Sequence, residues 1–143
     1  MSLEWRRATQ EDVPSLARWN KQLIEDEGSR NPMTLAQLET RMLGWMQGSE
    51  WEIWRLERGG EGVGYAVLRV VAQDLEICLR QLFIAREHRS QGLGKVALEL
   101  LRSNFLNARW TLEVLETNPR ARKFYDFLSF TAYVTILEWK EVL

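Results

Sequence analysis

A mixed α/β fold is the class this chain predicts, and three observations predict it. β-prone runs and runs of helical period alternate in the order β-α-α-β-β-β-α-β-α-β. Two Thr-led capping boxes and an Asn-Pro pair mark where three helices begin. In the middle, a strand, a Gly-x-Gly helix start and another strand follow one another, as in a right-handed parallel crossover. A chain of 143 residues suffices for one domain, residues 1–143, with a sizeable core.

Leu3–Ala8 reads as the first strand. Thr9-Gln10-Glu11-Asp12 is a capping box with Asp in place of Glu or Gln, and Pro14 follows in the first turns. Val13, Leu16, Ala17, Asn20, Leu23 and Ile24 recur at helical spacing, with Asn20 the polar exception, and Gly28 suits the stop. A polar, acidic connector leads to a second box, Thr34-Leu35-Ala36-Gln37. The helix it opens runs to about Met46, with Leu38, Met42, Trp45 and Met46 as its stripe. Glu50–Glu57 alternates imperfectly as a strand, and Arg58–Gly62 is a turn. Val63–Ala72 is strongly β-prone, Asp74 marks a turn, and Leu75–Ala85 is a further strand whose phase change near Gln81-Leu82 fits a bulge. Gly92–Asn107 follows as a helix, with Val96, Ala97, Leu100, Leu101 and Leu106 expected inward. Trp110–Leu115 is a strand. Asn118-Pro119 opens the last helix as N-cap and N1, with Ala121, Phe124, Tyr125 and Leu128 on one face. Phe130–Trp139 is expected to close the fold as a strand.

The bulk composition excludes several function classes. Net charge is −1, so no basic field argues for nucleic-acid binding. No apolar run approaches the ~20 residues that span a bilayer, so no membrane partner is expected. The single cysteine, Cys78, cannot close an internal disulfide or complete a zinc cluster, so it reads as a small buried residue in a reducing, cytoplasmic setting. Glu4, Arg6 and Arg7 charge the start of the chain, unlike a secretory leader. Seven tryptophans are many for this length, and exposed ones would make a homodimer or another protein interface natural.

The chemistry concentrates at Arg89-Ser90-Gln91-Gly92-Leu93-Gly94-Lys95. Glycines let backbone approach a bulky anion, and a helix start offers unpaired N–H groups and the positive end of its dipole. The segment therefore reads as a phosphate site. A P-loop would need Gly where Arg89 stands and Ser or Thr where Val96 stands. Gly92-x-Gly94-x-x-Ala97, with Glu113 downstream, matches a dinucleotide fingerprint. The seven-residue polar arm Ala85–Gln91 and the late position weigh against that reading.

Arm and glycines together, Arg89-x-x-Gly92-x-Gly94, resemble motif A of the GCN5-related N-acetyltransferases. Leu79-Arg80-Gln81-Leu82-Phe83-Ile84 is similar to that family's fourth strand. Asn118-x-x-Ala121-x-x-x-Tyr125-x-x-x-x-Phe130 is similar to its second motif. The resemblance spans nearly the whole chain. It implies a mixed sheet splayed between its fourth and fifth strands, and acetyl-CoA as co-substrate.

The same resemblance implies roles for single residues. The amides of Gln91, Gly92, Leu93, Gly94 and Lys95 would cradle the pyrophosphate, with Arg89 adding charge. Leu82, Phe83 and Ile84 would pair with pantetheine like an added strand. An N–H near Leu82 or Phe83 would hold the thioester oxygen. Asn118 would bond pantetheine or cap its helix, and Tyr125 would protonate the leaving thiolate unless it is simply core. The acceptor implied is a primary amine of a small molecule or of a peptide or protein, acetylated directly.

Departures from the family pattern are visible too. Arg80 lies near a position where many relatives carry a carboxylate base. Glu76, Glu113 or a water relay remain open for that role. Ser129 stands in place of a glycine, at a cost if its backbone is left-handed. Glu25, Asp26 and Glu27 would form an acidic rim steering a cationic amine. Arg120, Arg122 and Lys123 would meet a 3′-phosphate or be a solvated face, and His88 is expected solvated. The alternative to an enzyme is a non-catalytic acyl-CoA-binding or interaction domain of the same fold.

Overall fold

The computed structural model describes residues 2–71, 73 and 75–141. Strand β1 (Leu3–Arg7) leads through a 3-10 turn (Gln10–Asp12) into helix α1 (Val13–Glu27), and α2 (Leu35–Gln47) follows. Strands β2 (Glu52–Arg58), β3 (Glu61–Val71) and β4 (Glu76–Ile84) come next. Then come α3 (Leu93–Arg102), β5 (Arg109–Leu112) and α4 (Pro119–Phe127). The sheet runs in the order β1-β2-β3-β4-β5, antiparallel throughout except for the parallel β4–β5 pair. The crossover through α3 is thus the parallel unit the glycine segment predicts.

Local signals set the helix ends. The Asp12 carboxylate accepts the Thr9 N–H at 2.7 Å, so Asp serves in the box. Gln37 Oε1 accepts from Thr34 N at 2.8 Å, and Thr34 Oγ1 accepts from Gln37 N at 3.2 Å. Gly28 ends α1 with φ 65°, a left-handed turn that glycine adopts without strain.

The sheet carries a core on each face. Leu16, Met42, Ile53, Tyr65, Val67 and Phe83 pack under α1 and α2. Ala66, Leu68, Ile77, Leu79, Leu98 and Leu101 pack under α3. Strand β3 is buried from Val63 to Leu68 because its alternate side chains serve both cores.

Two expectations are corrected and one is refined. Helix α3 stops at Arg102 instead of Asn107, and Leu106 is 75% exposed. Here Ser103 Oγ and Asn104 Nδ2 donate to the Leu100 carbonyl, and such side chains compete with the helix for its last carbonyls. Ala97, Leu98 and Leu101 face the sheet, which leaves Val96 and Leu100 outside.

The bulge lies just before the expected place. Val67 pairs with Gln81 and Leu68 with Leu79, so Arg80 is the extra residue. Finally, Phe130–Trp139 forms no strand. Phe130 packs on Tyr125, but residues 131–141 are exposed, and β5 ends the sheet among the described residues. β propensity expresses fit to a partner strand, and this segment has none in the monomer. Ala72, the expected last residue of the third-strand run, and the turn at Asp74 lie outside the described residues.

Candidate active site

Strands β4 and β5 pair only from Glu76–Leu79 to Arg109–Leu112. Beyond that point β4 continues to Ile84, bonded to β3 on one side alone. The sheet therefore splays where the sequence resemblance implies. The backbone of Leu82, Phe83 and Ile84 borders the opening, although the Ile84 carbonyl accepts Arg89 Nε at 2.8 Å. The Phe83 side chain is buried with Tyr65 and Trp19, so only its backbone faces the gap.

Helix α3 begins beside this opening. Gly92 is its N-cap at φ 74°, and a Cβ there would meet nothing within 4 Å. The space in front of the helix start is thus open. The first amides after it, on Leu93, Gly94 and Lys95, have no partner within the helix. Gln91 and Lys95 are exposed on either side. Gly94 serves a different purpose, since a Cβ there would come within 3.2 Å of the Phe124 ring. The glycine lets α3 and α4 approach. Arg89 is a brace as well as a charge: its NH2 lies 2.7 Å from Asp26 Oδ2, and its guanidinium covers the Phe83 ring at 4.9 Å.

Across the opening, Asn118 caps α4, its Oδ1 accepting from Ala121 N at 3.2 Å, with Pro119 at N1. Two turns further on, Tyr125 sits between the rings of Phe124 and Phe130, at 5.0 and 5.4 Å between centroids. Burial, then the negative charge of Glu27, pushes its hydroxyl well above the ordinary tyrosine range. It is a proton holder at neutral pH.

Glu27 is the site residue that sequence reasoning placed on an outer rim. Thr117 Oγ1 donates to its carbonyl at 2.6 Å, tying the end of α1 to the loop before α4. Burial, helped by Asp26, raises the Glu27 carboxyl, and its charge in turn raises both Tyr125 and Tyr65. The rest of the supposed rim is neutralised. Arg86 lies 3.1 Å from Glu25 and 2.9 Å from Asp26, and Arg89 also holds Asp26. Burial alone would raise Asp26, but the two arginines together lower it.

Of the other base candidates, Glu76 pairs with Arg109 at 3.2 Å, and Glu113 is exposed just past β5. His88 is 12% exposed, not solvated, and lies 3.2 Å from Arg58 and 3.4 Å from Glu61. Arg122 is taken up by Asp126 at 2.9 Å within α4, while Arg120 and Lys123 are exposed.

The far wall of the site is basic and aromatic. Arg80, at the bulge, covers Trp45 at 5.0 Å and Trp51 at 5.2 Å, and Arg41 covers Trp45 at 4.6 Å. Arg41 donates to Asn20 Oδ1 at 2.9 Å, and Tyr65 donates to Gln81 Oε1 at 2.8 Å.

Known proteins share this architecture. A 5-NmdU N-acetyltransferase of Pseudomonas phage PaMx11 is 29% identical over 126 residues, 88% of this chain and 85% of that one. An acetyltransferase from Thermus thermophilus superposes with a TM-score of 0.77 at 24% identity, over 92% of this chain and 88% of that one. A variant of the BH1408 protein from Bacillus halodurans gives 0.82 at 20% identity, over 97% and 99%. These two likenesses are of fold. The sequence match to the acetyltransferase (GNAT) family runs over residues 13–130, from the start of α1 past Tyr125 to Phe130. By that match the chain belongs to the GNAT family and is an N-acetyltransferase.

Proposed function

We propose that the protein, acting as one domain over residues 1–143, transfers the acetyl group of acetyl-CoA directly to a primary amine. The observation carrying this reading is the opening past Leu79 and Leu112, which has open helix-start amides on one side and Glu27 and Tyr125 on the other. Gln91, Gly92, Leu93, Gly94 and Lys95 hold the pyrophosphate by their backbone, with Arg89 fixing the arm. Leu82, Phe83 and Ile84 pair with pantetheine, an N–H of Leu82 or Phe83 bonds the carbonyl oxygen, and Asn118 fixes the start of α4.

An alkylammonium has a pKa near ~10 and must lose a proton before it attacks. Glu27 takes that proton, and its raised pKa suits it to the task. The amine nitrogen bonds to the thioester carbon and gives up its second proton to solvent, the C–S bond breaks, and Tyr125 gives its proton to the leaving thiolate. Solvent returns the proton to Tyr125 and removes the one on Glu27. The reading includes a cytoplasmic setting, where Cys78 stays reduced. No helix among the described residues is long and apolar enough to cross a membrane.

CoA release from acetyl-CoA across an amine panel, 5-NmdU first among them, tests this. Wild type releases CoA in step with acetylated amine, and Tyr125→Phe lowers kcat by about 100-fold while acetyl-CoA affinity stays. Tight acetyl-CoA binding with no amine-stimulated release would favour the non-catalytic domain.

A further inference from the structure

The basic wall of the site bears on which amines enter it, an inference that rests on the reading above. At the β4 bulge two successive side chains, Arg80 and Gln81, turn to the α1/α2 face, where Trp45, Trp51 and Tyr65 lie. Bulges near active sites re-aim side chains in this way. Two guanidiniums then stand together. Burial, then the charge of Arg80, lowers the Arg41 pKa, and no carboxylate contributes there. Trp45 and Trp51 orient the heads without neutralising them.

The uncharged groups lack the same thing. Asn20 is 0% exposed and its oxygen faces Arg41, which can only donate. Asn20 Nδ2 and Arg41 Nε are consequently buried with no acceptor. Buried donors without partners are destabilising. The nearby carboxylates are engaged by other groups: Glu50 pairs with Arg69, which also covers Trp51, Glu25 and Asp26 hold Arg86 and Arg89, and Glu27 lies toward Tyr125. The site is thus dipolar, with a carboxylate at the transfer end and cations at the far end. Tyr65 between them is raised by burial and Glu27 and lowered by Arg41.

We infer that the acceptor carries an anionic group, a phosphate or a carboxylate, besides its amine, and that Arg41, Arg80 and Asn20 hold it. Calorimetry on the protein loaded with CoA tests this with phosphoethanolamine, β-alanine, ethylamine and a short oligothymidylate. Phosphoethanolamine or β-alanine binds at least about tenfold more tightly than ethylamine, as charge-assisted hydrogen bonds imply. The better of the two tells phosphate from carboxylate, and tighter binding of the oligothymidylate points to a phosphodiester. Arg80→Gln, at an exposed position, and Arg41→Gln each remove the preference and leave CoA affinity unchanged. Equal binding of ethylamine, or a preference that survives both substitutions, overturns the inference. Because binding is read without turnover, anion-selective binding with no acetylation would fault the proposed reaction and leave this site standing.

Discussion

Single residues here hold charges for different ends. Asp12 stabilises. Two hydrogen bonds from Arg6, at 2.8 and 2.9 Å, with help from Thr9 and Arg55, take its carboxyl from 3.8 down to about 2. A folded-state pKa below the unfolded one means stability that is present above about pH 4 and lost as pH falls through about 2. Asp12→Ala is expected to cost about 2–3 kcal/mol in urea melts at neutral pH and to flatten that acid limb.

Glu27 works the other way. Its raised pKa means the folded state favours the protonated form, so its contribution falls as pH rises from the unfolded value through the folded one. Glu27→Gln should melt higher than wild type, with a gap that widens from mildly acidic to neutral pH. It should also lose about 100-fold in kcat/KM. A variant equal to wild type in both would remove Glu27 from the site.

Elements show where local chemistry sufficed. The boxes at Thr9 and Thr34, the Gly28 stop and the Asn118-Pro119 start were legible because each is settled within a few residues. The end of α4 follows the same rule at a cost. Ser129 takes φ 70°, and Phe130 N reaches the Tyr125 carbonyl at 3.0 Å, the bond a glycine there would also allow. Ser129→Gly is expected to add about 1 kcal/mol, read as a higher Tm, without moving Tyr125. Gly92→Ala should do the reverse at the head of α3, where φ is 74°. It should lose about 1–2 kcal/mol and weaken acetyl-CoA binding.

Hidden from the sequence were the relations between elements. Glu27 meets Tyr125 only because Thr117 ties α1 to the loop before α4. Arg80 joins Arg41 only because one extra residue in β4 turns it toward α2. The last expected strand failed for the same reason, since a β-prone run does not name its partner.

Over the whole molecule, the sheet supplies two rigid cores and one planned defect. The α1/α2 core and the α3 core clamp β3 on both faces, so β4 can part from β5 without loosening the fold. The defect is flanked by elements far apart in the chain, α1 near its start and α4 near its end. Ligand binding there should stabilise the whole domain, as any ligand specific to the native state does.

The most direct measurement is a stopped assay that follows CoA release and acetyl-amine together, with the wild-type chain, acetyl-CoA and the amine panel. Equal amounts of both products, absent without amine and cut sharply in Glu27→Gln and Tyr125→Phe, are the expected result. Acetyl-CoA that leaves no trace of binding or turnover, while NAD or another nucleotide binds at the head of α3, would contradict the account.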